Sequence, residues 1–67
     1  MKVMLRKNNL GHLSVYVPKK DLEEEVVNRV DNPDGTVLTL ANGWELKFSD
    51  LGEHIQLPQT FEARKLA

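Results

Sequence analysis

The chain has 67 residues, no cysteine and a formal net charge of −1, with nine basic and ten acidic side chains. A chain of this length forms one domain, residues 1–67, and without cysteine it has no disulfide, thiolate metal ligand or cysteine nucleophile. The charge lacks the basic excess with which nucleic-acid binders displace counterions, so a nucleic-acid function is not expected.

Two stretches near the N-terminus alternate between apolar and polar residues. Lys2–Lys7 and His12–Val17 both show a period of two, which indicates half-buried strands. Residues 8–11 read Asn-Asn-Leu-Gly and predict a hairpin loop, because Asn and Gly tolerate positive φ. Pro18 ends the second strand because it has no N–H to donate to a sheet.

The next stretch is highly charged. Asp21 followed by Glu24 matches a loose helix-capping pattern and predicts a single helical turn that begins at Asp21. Glu25–Asp31 alternates weakly, which predicts a strand with Val26 and Val30 on the same face.

Two turn signals separate the following strands. Asn32–Gly35 reads Asn-Pro-Asp-Gly and predicts a turn before the strand Thr36–Leu40. The Asn42-Gly43 pair predicts a tight hairpin with positive φ at Gly43, and Trp44–Phe48 then alternates as a strand.

The C-terminal part of the chain is less clearly patterned. Ser49–Pro58 contains acidic, glycine and proline residues and predicts a loop. Thr60–Leu66 is compatible with a strand or a helix, because a β-prone start precedes several helix formers. Its position after Pro58 favours the strand.

These elements predict an all-β protein: a small single-domain, barrel-like fold of five to six short, mainly antiparallel strands. Closing the sheet removes edges that a chain this small could not otherwise cover. The alternation predicts one apolar core formed by Leu5, Leu13, Val15, Val17, Val37, Trp44, Leu46 and Phe48.

Few residues are candidates for chemistry. His12 and His54 are the only histidines, and each is a possible base or metal ligand, although their spacing matches no ligand motif. Asp21 and Glu24 are a possible acid–base pair, but nothing places them in a cleft. Trp44 is either a stacking platform or a core residue, and its phase with the following apolar residues favours the core. Catalytic and cofactor-binding residues are therefore not predicted, and the protein is not expected to be an enzyme.

The charged stretch Tyr16–Val27 reads YVPKKDLEEEVV and has two interpretations. As a solvated crossing between strands it contributes little to stability, since exposed ion pairs are worth ~0–1 kcal/mol. Alternatively, Tyr16, Lys19, Lys20 and Asp21 lie at a proline-marked bend that projects them outward, and tyrosine is enriched at interfaces. We take these four residues as the candidate protein-contact surface.

Targeting signals do not stand out in the sequence. The chain begins MKVMLRKNN, with basic residues but no apolar segment of signal-peptide type after them. No apolar run reaches the ~20 residues needed to span a bilayer. The sequence therefore predicts a cytoplasmic protein without membrane contact.

Four segments together resemble the NifT/FixU family, small proteins encoded among nitrogen-fixation genes. They are MKVMLRKN at the N-terminus, LSVYVPKKDLEE at Leu13–Glu24, TLANGW at Thr39–Trp44 and LPQTFEARKL at Leu57–Leu66. The resemblance covers nearly the whole chain in the same order. It implies a small β-barrel-like fold and a place in the nitrogenase system, and it supplies no catalytic residues.

The residues and the resemblance together give a functional hypothesis. We expect a non-catalytic accessory protein of nitrogen fixation that assists nitrogenase maturation by contacting a nitrogenase component or a maturation protein, with no bound cofactor. The alternative is a carrier of a small molecule or metal cofactor, using His12, His54 and carboxylates. The missing cysteines count against a carrier of iron–sulfur-based cofactors, which favour thiolate ligands.

Overall fold

A computed structural model of the protein describes residues 1–49, 51 and 56–67. His54 and part of the predicted loop Ser49–Pro58 lie outside the described residues. In chain order the elements are β1 (Lys2–Lys7), β2 (Leu13–Val17), a 3-10 turn (Pro18–Lys20, the proline turn), β3 (Leu22–Asn32), β4 (Gly35–Leu40), β5 (Glu45–Phe48), β6 (Gln59–Glu62) and β7 (Arg64–Lys65). Over the described ranges, no helix has the length and apolar character needed to cross a membrane.

The strands form one antiparallel sheet in the order β6-β1-β2-β3-β4-β5-β7. Because β6 and β7 follow each other in the chain, the segment Thr60–Leu66 joins the two ends of the sheet into a nearly closed barrel. Its partner changes from β1 to β5 at Ala63, whose N–H donates to the Met1 carbonyl at 2.7 Å. The predicted all-β, barrel-like fold is confirmed. There are seven strands rather than five to six because this last segment counts as two.

The barrel interior is an apolar cluster. Its buried members are Val3, Leu5, Val15, Val17, Leu38, Leu40, Leu46, Phe48 and Ala63. Five residues of the predicted core lie in this cluster: Leu5, Val15, Val17, Leu46 and Phe48. Leu13 and Trp44 are partly exposed and pack against it.

The predicted core position of Val37 is wrong. In β4 the inward residues are Thr36, Leu38 and Leu40, which are buried, whereas Val37 is half-buried on the outer face. The pairing of β4 with β5 explains why Leu38 faces inward, because it lies opposite the buried Leu46 of β5. Side chains directly opposite each other share a face of the sheet.

The predicted phase of β3 is also wrong. Val26 lies opposite Leu40 and faces the core, but Val30 lies opposite Val37 and faces outward. A β-bulge between Val26 and Asn28 inserts one extra residue and reverses the alternation beyond it.

The predicted turns are present. In the β4–β5 hairpin, Gly43 N–H donates to the Leu40 carbonyl at 2.9 Å, and Leu40 N–H donates to the Trp44 carbonyl at 2.8 Å. Gly43 has φ of 96°, which confirms the predicted positive φ. Loops with Gly in this left-handed position are common in hairpins with a three-residue connection.

Candidate protein-contact site

The proline turn lies between β2 and β3 and presents Lys19 and Lys20. Pro18 occupies its first position, where the fixed φ of proline suits a helical turn. Asp21 ends the turn in the left-handed conformation, with φ of 47°, and its N–H donates to the Pro18 carbonyl at 3.2 Å. The predicted helical turn beginning at Asp21 is therefore wrong, since the turn ends there and Glu24 lies in β3.

A side-chain hydrogen bond braces this bend. The Tyr16 hydroxyl donates to Asp21 Oδ1 at 2.9 Å, which joins the end of β2 to the residue that ends the turn. This hydrogen bond and the negative charge of Asp21 raise the pKa of Tyr16. Tyr16 is half-buried rather than exposed, and the Arg6 guanidinium carbon lies 5.2 Å from the centre of its ring.

Trp44 lies between two lysines. The Nζ atoms of Lys20 and Lys65 lie 5.7 and 4.8 Å from the centre of its ring, within the range of cation–π attraction. The ring also packs against the barrel core. Trp44 is therefore a partly buried packing residue, with lysine ammonium groups against its ring.

A groove of about 570 Å³ lies beside the proline turn. It is lined by Met1, Lys2, Val17, Pro18, Lys19, Lys20 and Glu62. Val17 belongs to the buried core, so the groove reaches the edge of the barrel interior. Its volume falls within the range of ~300–1,000 Å³ that is usual for ligand sites.

The lysines of this groove have no anionic partner in the described part of the chain. The salt bridges found there involve other basic groups, and Lys2, Lys19 and Lys20 take part in none of them. The groove carboxylate, Glu62, lies 3.4 Å from the terminal ammonium of Met1 instead. No carboxylate of the described residues therefore neutralises these three lysines, although Lys20 Nζ lies 5.7 Å from the centre of the Trp44 ring, a contact that leaves its charge in place.

The outer face of β1, β2 and β3 carries a different set of charges. Arg6 Nε and Nη2 donate to the two carboxylate oxygens of Glu23 at 2.6 and 2.7 Å. Beneath this pair, the buried Ser14 hydroxyl donates to Glu23 Oε2 at 3.0 Å. The bonds from Arg6 and then Ser14 lower the pKa of Glu23, and the same pairing raises the pKa of Arg6.

His12 lies on the same outer face. Its Nδ1 is 2.8 Å from Glu25 Oε1, and Asn8 Nδ2 donates to Glu25 Oε2 at 3.0 Å. Among the residues that the structure describes, no three His, Cys, Asp or Glu side chains form a group able to hold a metal ion. His54, the other predicted metal ligand, lies outside them.

The structure thus separates the four predicted contact residues into two roles. Tyr16 and Asp21 hold the bend, whereas Lys19 and Lys20 line the groove. Sequence reasoning missed Lys2 and Glu62, which join the site because β1 pairs with β6 and places them opposite each other. Only the long-range pairing shows this, since nothing in the local pattern links residues so far apart.

Comparison with known proteins places the chain in a family. The family model described as NifT/FixU protein matches residues 1–63. The chain is 48% identical over 68 residues to the Protein FixU homolog of Sinorhizobium fredii, covering 98% of this chain and 87% of that protein. It is 46% identical over 67 residues to Protein FixU of Rhizobium leguminosarum bv. trifolii, covering 97% of this chain and 93% of that protein.

A third relative is longer. The chain is 46% identical over 68 residues to Protein MosB of Rhizobium meliloti, covering 98% of this chain but 13% of that protein. The family match and the two FixU relatives extend over nearly the whole chain, as did the four segments of the resemblance. The chain therefore belongs to the NifT/FixU family and is a protein associated with nitrogen fixation.

Proposed function

We propose that the protein is a non-catalytic, cytoplasmic accessory protein that assists nitrogenase maturation by contacting a nitrogenase component or a maturation protein. The observation that carries this proposal is the bend at the proline turn. It holds Lys19 and Lys20 on the surface, where they have no salt-bridge partner in the described part of the chain. Charges at the rim of an interface steer partners and determine specificity.

The shifted ionisable groups support a non-catalytic role. The pKa values of Glu23, Asp31 and Asp34 are lowered by hydrogen bonds to Arg6, Thr36 and Lys47, respectively. Perturbed pKa values indicate a catalytic site when the groups lie in a cleft. Glu23 and Asp31 are exposed on β3, Asp34 is exposed in the β3–β4 turn, and each binds a partner side chain. Structural pairs of this kind also shift pKa values.

Reversing the charge of the proline turn tests the proposal. The double variant Lys19→Glu/Lys20→Glu changes two exposed side chains, so the fold is expected to be retained, with a loss of about 0.5–1 kcal/mol from the contact of Lys20 with the Trp44 ring. Affinity-tagged wild type should capture a nitrogenase component or maturation protein from nitrogen-fixing cells, identified by mass spectrometry. The variant should capture less, and the difference should be largest at low salt, where screening is weakest.

A matched control makes the same change of net charge elsewhere. Lys7 and Arg64 are exposed and take part in no salt bridge in the described part of the chain. Lys7→Glu/Arg64→Glu should therefore retain the partner. Equal capture by a folded Lys19→Glu/Lys20→Glu variant, or no nitrogenase-related partner for the wild type, would contradict the proposal.

The mass of the purified protein distinguishes the proposed function from the carrier alternative. Native mass spectrometry of the protein purified from nitrogen-fixing cells is expected to give the mass of the polypeptide alone. A stoichiometric metal or small molecule in that spectrum would favour the carrier function over the proposed one.

A further inference from the structure

We propose that the groove beside the proline turn binds an acidic segment of a protein partner and takes up an apolar side chain of that segment. This inference rests on the proposed function and specifies the chemistry of the contact. The groove combines lysine ammonium groups with an apolar lining, and each feature selects one part of such a segment.

The charge of the groove favours an anionic ligand. Four residues that carry a positive charge line it, Met1 through its terminal ammonium and Lys2, Lys19 and Lys20, against one carboxylate residue, Glu62. The Met1 ammonium donates to the Ala63 carbonyl at 2.8 Å and lies 3.4 Å from Glu62 Oε2, so these two charges largely offset each other. The remaining positive charge belongs to Lys2, Lys19 and Lys20.

The lining of the groove favours an apolar side chain. Met1 and Pro18 contribute apolar surface beside the buried Val17, and the lysine side chains add their methylene stems. Burial of apolar surface contributes ~25 cal/mol per Å² to binding, which phosphate or a simple carboxylate cannot use. The groove therefore suits a segment with an apolar residue flanked by acids.

The groove is shaped before a ligand binds. The fixed φ of Pro18, the left-handed Asp21 and the hydrogen bond from Tyr16 hold the bend that presents the lysines. Preorganisation reduces the ordering cost of association.

The surroundings favour a short protein segment over a nucleic acid. Glu62 stands in the groove itself, and Asp21 and Glu23 follow the lysines in the chain. A nucleic-acid strand carries a phosphate at every nucleotide and would have to extend past these carboxylates. A short segment with a few acids around one apolar residue can meet the three lysines without extending beyond the groove.

The test is an NMR titration of the ¹⁵N-labelled full chain with the capped peptide Asp-Glu-Leu-Glu-Asp. Saturable amide shifts are expected at Lys2, Lys19, Lys20, Val17 and Glu62. Peptides with Leu replaced by Ser, or with all acids replaced by amides, should bind several-fold more weakly. Inorganic phosphate and a short oligothymidylate should bind with lower affinity than the parent peptide.

Matched variants identify the lysines responsible. The triple variant Lys2→Gln/Lys19→Gln/Lys20→Gln should bind the peptide with about tenfold lower affinity, because three exposed ion pairs are lost together. Lys7→Gln, at the other end of β1, should leave the affinity unchanged. Spectra of the free variants show whether the barrel is intact.

Several results would overturn the inference. One is that the parent peptide does not bind, and another is that its amide shifts are centred on the outer face. The others are that phosphate or oligothymidylate binds as tightly as the peptide, and that the folded triple variant binds the peptide as tightly as the wild type. The outcomes also separate this inference from the proposed function. Charge-dependent capture of a nitrogenase-related partner without peptide binding refutes the groove chemistry alone, whereas peptide binding without such capture refutes the function alone.

Discussion

On the outer face of β1, β2 and β3, Arg6 binds Glu23 through two nitrogens, and His12 lies against Glu25. In the groove beside the proline turn, Lys19 and Lys20 bind no carboxylate of the described residues. Both regions are charged and close together in the chain. They differ in whether the protein satisfies its own charges.

The difference follows from strand geometry. Lys20 and Glu23 are three residues apart, but the left-handed Asp21 reverses the chain between them. Beyond that point β3 pairs with β2, which places Glu23 opposite Tyr16 on the outer face, near Arg6. Sequence proximity of opposite charges therefore does not produce ion pairs here, and the lysines remain available for a partner.

The largest effect on stability is expected at Trp44, which borders the lysine-bearing region. Trp44→Ala should destabilise the barrel by about 2–3 kcal/mol, less than the ~3–5 kcal/mol of a fully buried ring, because the side chain is partly exposed. Trp44→Phe keeps an aromatic ring and should lose less. Chemical denaturation measures both, and wild-type stability of Trp44→Ala would show that the ring is not part of the packing.

The turn before Trp44 should give the next effect. Gly43→Val should cost about 1–2 kcal/mol, because an L-residue is strained at positive φ and a β-branched one especially so. Gly43→Asn is the matched control, since asparagine tolerates this conformation. Equal unfolding midpoints for the wild type and the valine variant would refute the hairpin geometry.

On the paired side, Ser14→Ala should cost about 1 kcal/mol, the net value of a typical hydrogen bond. The hydroxyl is buried beneath the Arg6–Glu23 pair and donates to Glu23. Ser49→Ala removes the chain's other serine hydroxyl, which is exposed, and should have no measurable effect. Partner capture should be unchanged in both variants, so loss of capture in a folded Ser14→Ala protein would assign a contact role to the outer face.

The paired face should also respond to acid. Arg6 and Ser14 lower the pKa of Glu23 below its ordinary value of 4.5 in the folded state. The stabilisation is therefore complete above that value and is lost as the pH falls through the lowered pKa of the folded protein. The urea concentration at the unfolding midpoint should decrease as the pH falls. Glu23→Gln should make this midpoint depend less on pH, whereas Lys19→Gln/Lys20→Gln should leave its pH dependence as in the wild type. A pH dependence unaffected by Glu23→Gln would contradict the pairing.

The smallest expected effect is that of added metal. Among the residues that the structure describes, His12 contacts one carboxylate, Glu25, so zinc or iron should produce no stoichiometric site. Histidine chemical shifts during titration provide the measurement. Slow-exchange shifts of both His12 and His54 at one equivalent would contradict this and favour the carrier alternative.

Much of the fold is predictable from local pattern. The period of two in β1 and β2, the Asn42-Gly43 turn and the Asn32–Gly35 turn each have one structural outcome, and all occur. The phase of β4 is the instructive failure. In Thr36–Leu40 the period of two places Leu38 and Leu40 on one face and Val37 with Thr39 on the other, so the apolar count itself favours the observed phase. The prediction that put Val37 in the core did not follow this count, and the pairing of Leu38 with Leu46 shows which face is buried.

The candidate site was predictable only in part. Pro18 marks the bend, and the adjacent lysines are visible in the sequence. The bracing role of Tyr16 and Asp21 depends on a left-handed residue that the sequence does not specify, because aspartate adopts this conformation only occasionally. The groove itself forms where β1 meets both β6 and the proline turn, a contact between distant parts of the chain.

The most direct test of the contrast between the two regions compares two charge reversals in one capture experiment from nitrogen-fixing cells. Lys19→Glu/Lys20→Glu reverses the unpaired charges, and Arg6→Glu/Glu23→Arg exchanges the paired ones while preserving an ion pair. With both variants folded, the first should lose the nitrogenase component or maturation protein and the second should retain it. Retention by the first variant, or loss by the second, would contradict the assignment of the contact to the unpaired lysines.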